Sequence, residues 1–550
     1  MHLYFAYRIK QKSRAKVPPT IPYYAPVLGS AISYLRNPGQ FIENTALSQR
    51  NPVAMSIATK KFFFVYRNHN VSILWKSSSL STSTAMYCYV LINFFGMPKR
   101  AARRISKDNS GFSPQPQPGT HVEDRNRVDF LVHQNLLRFL KGPGFDPFYR
   151  RFEKNLASQL DKLSIGHDWV TMPDLYDFVT REVMPPGLEA MCGPYLMSHN
   201  PDFCKVFWEY NAAIPTLAKR LPKMLNRTAY ELRDSLLKDI KAWHAWARCN
   251  FDDSKVSEDG QYDPFWGSGF MRERQDMFMG IDDFDFDSIA SEDLGAIFGA
   301  NANAIISAFW AIYYVFRDPE LLARARAEAF NAIRESTCEI REDGRLPLFD
   351  DAILGRQPLL LSVYAEVLRL RVTAYITRYT EREEMHVGDW RFPMNHAILV
   401  PISAAHMDTS IWNVGRYGEH PVTSFWAERF LVRPNDPYSG PKRRQVSETA
   451  KEGPLGDMTK TEVSSEARFS TDGMQAAWIP YGGGPRACPG RHFAKRQILL
   501  IIAAFISCFD IDINGQEKLG VSQEDFGTGT QKPSTKCPFR IRRKLYAYQP

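Results

Sequence analysis

Cysteine is scarce in this chain and never paired at short range. The eight cysteines, at positions 88, 192, 204, 249, 338, 488, 508 and 537, form no Cys-x-x-Cys motif. That spacing argues against a zinc ribbon or a disulfide framework and fits a reducing compartment. The N-terminus lacks an apolar stretch long enough for a secretory signal and shows only the short aromatic stub Met1–Tyr7. There is no internal repeat. The basic excess is modest, +9 over 550 residues, and no nucleic-acid recognition motif accompanies it, so no nucleic-acid partner is expected.

What basic charge there is comes in clusters. Arg8, Lys10, Lys12, Arg14 and Lys16 crowd the N-terminus; Lys99, Arg100, Arg103 and Arg104 form a second group, and Arg540, Arg542, Arg543 and Lys544 a third. Such runs ordinarily make solvated faces, and the first also suits an anionic membrane surface. It is followed by a proline-rich hinge, Val17-Pro-Pro-Thr-Ile-Pro22 and then Pro26. With 44% hydrophobic and 13% aromatic residues the chain can bury a sizeable core. Length alone suggests three or four domains.

Along the chain, Phe62–Tyr66 reads as a buried strand, and 128–250 as helical, broken at Gly142, Pro185-Pro186 and Pro222. Residues 251–290, rich in acid, read as a surface loop; 433–470 reads as a polar surface insertion, and Asn514-Gly515 as a hairpin turn. Leu294–Phe316 carries no charge and is long enough to cross a bilayer. A channel or transporter reading rests on this segment alone. Gly295, Gly299, Asn301, Asn303 and Ser307 are ill suited to face lipid. With Ser288 or Ser291 as cap and Glu292 and Asp293 in the first turn, a helix through the centre of a large protein fits better.

One stretch names a chemistry: Tyr481-Gly-Gly-Gly-Pro-Arg-Ala-Cys-Pro-Gly490, followed by an apolar run from Phe493. Glycines let the loop turn tightly and let backbone approach a flat ligand. A cysteine just ahead of a helix meets the positive end of its dipole, which favours the thiolate, the form that ligates iron. Upstream, Glu366 and Arg369 share a helix face at i, i+3, and Phe425-Trp-Ala-Glu-Arg429-Phe430 follows.

These residues resemble the heme-binding loop and supporting segments of the cytochrome P450 family, in the same order along the chain. The resemblance covers roughly residues 20–545 and is specific from 294 onward. It implies a mainly α, large single-domain fold with a smaller β-rich N-terminal part: residues 1–25 as basic tail and hinge, 26–550 as heme domain. It implies heme b, with iron axially bound by the Cys488 thiolate in a loop shaped by Tyr481, Gly484 and Gly490. Arg486, Arg378 and Arg138 (with Gln134 one turn earlier) are the expected propionate contacts. Glu366, Arg369 and Arg429 are the expected buried triad behind the loop. In the central helix Asn303 takes the acid position and Ala304 the position where the family carries threonine; a shift of one residue would put Asn303 at the alcohol position. The departures are Tyr481 for phenylalanine, Ala427 for proline, and the absent threonine.

The segment ending Ser307-Ala-Phe-Trp310 resembles the branch that holds sterol 7α-hydroxylases and prostacyclin synthase. The resemblance implies a monooxygenase acting on a bulky lipophilic, sterol- or terpenoid-like substrate in specialised metabolism, with O2 and electrons from NADPH-cytochrome P450 reductase. Lys495 and Arg496 are the expected docking cations. A peroxide or endoperoxide isomerase needing neither O2 nor reductase, and a non-catalytic heme-binding protein, are the alternatives. A monomer at the cytosolic face of the endoplasmic reticulum membrane is expected, peripheral or cytoplasmic if no anchor is present.

Overall fold

In the computed structural model the described residues are 17–23, 28–48, 52–57, 60–76, 84–220, 222–333, 348–380, 383–443, 467–513 and 518–544. The first basic cluster, the Asn514-Gly515 turn and most of the 433–470 segment lie outside them.

Helices dominate, and they are organised around one of 31 residues, Phe286–Phe316. It begins two turns before the uncharged stretch. Asp285 is its N-cap, and Ser288 completes a reciprocal capping box, so neither Ser288 nor Ser291 is the cap itself. Most of its length is buried inside the fold. It packs on Leu175–Cys192, Arg227–Asn250, Pro358–Arg371 and Arg491–Cys508. Its apolar character is that of a core helix surrounded by protein.

One predicted break and one predicted loop need correction. Pro185 and Pro186 sit inside the helix Leu175–Cys192. An interior proline costs about 3 kcal/mol, but this helix is buried between Phe145–Asp161 and the central helix, and tertiary packing prevails. Residues 251–290 are not a loop. A short hairpin, Tyr262–Asp263 with Gly267–Ser268, leads into the helix Gly269–Met279. Its buried cation Arg274 disguises the amphipathic pattern.

The β structure is small. The hairpin Val53–Ile57 and Lys60–Phe64 is extended by Ala397–Pro401, parallel to the second strand, and then by Tyr375–Tyr379. The β-rich N-terminal part therefore takes half its strands from the C-terminal half of the chain. The proline-rich hinge lies along its edge, with Ile21 N–H donating to the Ala54 carbonyl at 2.8 Å. Half of the cations in the other two basic clusters are paired with carboxylates. Arg100 and Arg104 pair with Asp283, Arg540 with Asp512, and Arg542 with Asp510.

Candidate functional site: a cysteine loop facing a small-residue helix

The cysteine loop is set by three local facts. Gly482 and Gly484 have φ of +75° and +67°, a region that side chains other than glycine rarely adopt. Between them, a Cβ on Gly483 would lie 2.5 Å from the indole of Trp75. The Cys488 N–H donates to the Tyr481 carbonyl at 2.8 Å, closing the loop on itself. Gly490 then caps the helix Arg491–Cys508.

Cys488 opens onto a cavity of about 620 Å3. The N–H groups of Gly490 and Arg491 point at its sulfur, and the Arg491 charge adds to them; all three favour thiolate. Burial in the apolar cavity outweighs them, so the thiol stands above its ordinary value. The helix-end effect alone does not ionise it; a bound cation would.

The opposite wall is one stripe of the central helix. Glu292, Gly295, Ala296, Gly299, Ala300, Asn303, Ala304 and Ser307 all line the cavity, at the spacing of a single helix face. Where a Cβ of Gly299 would project there is no atom within 4 Å. These two glycines are expected to respond oppositely to substitution. Gly299→Ala adds a methyl that meets no protein atom and should raise the stability of the ligand-free chain by about 0.5–1 kcal/mol. Gly483→Ala drives a methyl into Trp75 and should cost about 1–3 kcal/mol. Thermal denaturation of the two variants checks both signs.

The loop is fastened to the helix Pro358–Arg371 by a run of buried polar contacts. The hydroxyls of Tyr364 and Tyr481 meet at 2.9 Å, and Trp478 Nε1 donates to the Ala365 carbonyl at 3.1 Å. Glu366 accepts two bonds from Arg369, at 2.7 and 2.8 Å, and one from Arg429 Nε at 3.0 Å; all three side chains are fully buried. Arg369 donates to the His406 carbonyl at 2.9 Å, and Arg429 donates to the carbonyls of Asn413, His420, Pro421 and Ser424. His406 completes the link: its Nε2 accepts the Ile479 N–H at 3.0 Å, two residues before Tyr481. Nδ1 therefore carries the proton and donates to the Arg369 carbonyl at 2.9 Å.

The candidate arginines differ. Arg378 is buried, donates to the Gly483 carbonyl at 2.9 Å and lies over Trp75. It has no carboxylate partner among the described residues. Burial and the nearby Arg486 cation hold its pKa down to about 10. Arg486 lines the cavity, stacks on Phe112 and forms a two-point ion pair with Asp129. Its Nε is buried without a partner, as is Trp75 Nε1. Arg138 lies apart: it is exposed and borders a separate pocket with Gln134 and Lys141. The docking cations predicted beside the loop have other partners. Arg496 pairs with Asp146 and Asp351, both at 2.9 Å, and Lys495 donates to the Gly355 carbonyl at 3.3 Å. Trp75, some 400 residues from the loop it supports, carries no local sequence signal and was not predicted.

This donor set fits heme. A cysteine sulfur open to a cavity meets hydrogen-bond donors; the unpartnered Arg486 Nε and Trp75 Nε1, with Arg378, which has no counter-ion among the described residues, suit an anionic ligand edge.

Asn303 is already engaged. Its Oδ1 accepts the Thr530 N–H at 2.8 Å, and a Cβ on Gly529 would collide with that oxygen. The Ser307 hydroxyl donates to the Asn303 carbonyl at 2.7 Å and lies 3.3 Å from the Thr530 hydroxyl. Ala304 lines the cavity beside them and offers no hydroxyl.

A family model described as Cytochrome P450 matches residues 199–446 and 457–539. The cytochrome P450 monooxygenase efuG of Hormonema carpetanum is 33% identical over 536 residues, covering 96% of this chain and 90% of the relative. The cholesterol 7-alpha-monooxygenase of Cricetulus griseus is 21% identical over 555 residues, covering 97% and 95%. Among solved structures, the crystal structure of the cytochrome P450DA heme domain superposes with a TM-score of 0.64 at 14% identity, covering 96% of this chain and 98% of that one.

Proposed function

Since the chain belongs to the cytochrome P450 family, as one of its monooxygenases, we propose that it oxidises a bulky lipophile of sterol or terpenoid type in the making of a specialised metabolite. The observation that carries this reading is the cavity itself. Between Cys488 and Glu292 its walls are Leu91, Phe95, Leu136, Phe139 and the alanines and glycines of the central helix, an apolar chamber built for shape.

In this proposal heme b is held by Cys488 and supplies dioxygen activation when bound. Arg378, Arg486 and Trp75 Nε1 answer its anionic edge, and Tyr481, Gly484 and Gly490 shape the loop. Electrons come from NADPH through NADPH-cytochrome P450 reductase. The exposed Arg138 and Lys141, with His492 beside Lys141, offer a basic docking face in place of Lys495 and Arg496. Asn303 takes the acid position and Ala304 the alcohol position. The hydroxyls of Ser307 and Thr530 supply the hydrogen bonds that the missing threonine would have made. The protein works as a monomer at the cytosolic face of the endoplasmic reticulum membrane.

A second reading, rearrangement of a peroxide or endoperoxide, is favoured only by Ala304. Turnover separates the two. Incubation with a panel of sterols, triterpenoids and their hydroperoxides under labelled O2 is expected to give product carrying one labelled oxygen from the parent compounds, only with both NADPH and reductase present. Rearranged product formed from the hydroperoxides at an equal rate without either, with none from the parent compounds, would establish the isomerase instead.

A further inference from the structure

Eleven residues before Asn303 on the central helix, the cavity is lined by a buried carboxyl group whose hydrogen-bonding capacity is mostly unfilled. Glu292 is 4% exposed and lines the cavity among Leu91, Phe95 and Ala296. Its carboxylate accepts from the Tyr87 hydroxyl at 3.0 and 3.1 Å, and no other hydrogen bond to it is formed among the described residues. Two carboxylate oxygens offer about four acceptor sites, so most are unfilled.

The neighbouring cation spends its hydrogen bonds elsewhere. Arg274 is matched by Asp293, its Nε donating at 2.8 Å, and its Nη2 donates to the Glu292 backbone carbonyl at 3.1 Å. Glu292 Oε2 lies 4.0 Å from that Nη2, beyond hydrogen-bond reach. Asp293 also accepts from Gln275 at 2.8 Å, and His244 Nε2 lies 3.1 Å from it. Burial keeps His244 neutral. Asp293 is thus the hydrogen-bonded partner of Arg274, while Glu292 feels that cation only through its charge and keeps its oxygens free to accept from the cavity. A buried polar group with unfilled capacity is costly unless something answers it.

Its position sets what can answer. Glu292 and Asn303 are eleven residues apart on one helix, about 16 Å along the axis at 1.5 Å per residue, and on the same face. We propose that Glu292, held by Tyr87, is the specificity-determining group of the cavity, and that it accepts a hydrogen bond from a hydroxyl at the end of an elongated polycyclic lipophile opposite the carbon that is oxidised. This rests on the lipophile-oxidising reading above and names its substrate class: a rigid alcohol, roughly the length of the gap between Glu292 and Asn303. Burial raises the Glu292 carboxyl to about 7. An alcohol suits both its protonation states, donating to the ionised one and accepting from the neutral one. A substrate carboxylate would be repelled by the ionised form.

The test uses the heme-loaded full chain and the Soret shift on titration with cholestanol, its methyl ether and cholestane. At about pH 8.5, above the carboxyl's value, Glu292 is ionised and only accepts. Wild type is expected to bind cholestanol about tenfold more tightly than cholestane, with the ether, which has no proton to donate, no better than cholestane. Glu292→Leu should bring all three within about twofold at unchanged heme content, the loss falling on the alcohol. The proposal is overturned if wild type binds the alcohol and the hydrocarbon equally, if the ether matches the alcohol, or if Glu292→Leu keeps the preference. In each of those cases the lipophile reading survives. Binding of none of the three by wild type that still gives a red-shifted carbon monoxide band would overturn both together.

Discussion

Cys488→Ser is expected to abolish the red-shifted Soret band of the reduced, carbon monoxide-treated protein and to bring turnover to background, while leaving the fold in place. The backbone of the loop does not depend on the sulfur. The Cys488 N–H bond to Tyr481, the positive φ angles of Gly482 and Gly484 and the helix cap at Gly490 are all main-chain features. What the substitution removes is an ionisable soft donor, and a hydroxyl does not replace it at neutral pH. Far-UV circular dichroism should therefore match wild type. Cys88, Cys192, Cys508 and Cys537 are buried elsewhere, and serine at any of them should leave the band in place. A Cys488→Ser protein that kept the band would refute thiolate ligation and with it the whole assignment of the site.

The difference between what could be read from the sequence and what could not lies in how far each contact reaches. The cysteine loop is legible because glycine, arginine and cysteine stand at fixed offsets within ten residues. Glu366 and Arg369 are legible as a helix pair. Their third partner, Arg429, is found only because a second short motif marks it. By contrast Trp75 packs on Gly483 from across the chain, and Asp129 captures Arg486 over a separation of 357 residues. Neither residue is unusual where it stands. Glu292 reads in sequence as an ordinary first-turn acid of a helix beginning at Ser288 or Ser291. Once the cap is placed at Asp285, Glu292 lies inside the helix, and its face turns it into the cavity. The proline pair in Leu175–Cys192 shows the reverse failure, a clear local signal overruled by burial.

Glu366→Gln is expected to be among the most destabilising single changes in the chain, lowering stability by about 3–5 kcal/mol. The three buried side chains carry two positive charges and one negative. Among the described residues, Glu366 is the only carboxylate paired with either guanidinium. The remaining excess is spread over backbone carbonyls at His406, Asn413, His420, Pro421 and Ser424. Glutamine keeps the shape but removes the charge and leaves an amide nitrogen facing an arginine donor. Burial already holds the Arg429 pKa down, and the loss of Glu366 worsens that cost. Because His406 ties Arg369 to the Ile479 N–H, the damage should spread to the cysteine loop. Heme content per chain is then expected to fall along with the denaturation midpoint. Acid should compound it. Burial and Arg369 keep His406 neutral with a pKa lowered from 6.5 to about 3. Between those values only the unfolded chain takes up the proton, so stability falls as pH drops below about 6.5. Replacing Arg369 and Arg429 by apolar residues as well would remove the unpaired charge but strand the carbonyls they serve, so it should not restore stability. Wild-type stability in that triple variant would mean the cluster is dispensable as an anchor; unchanged heme content in Glu366→Gln would mean the loop holds itself.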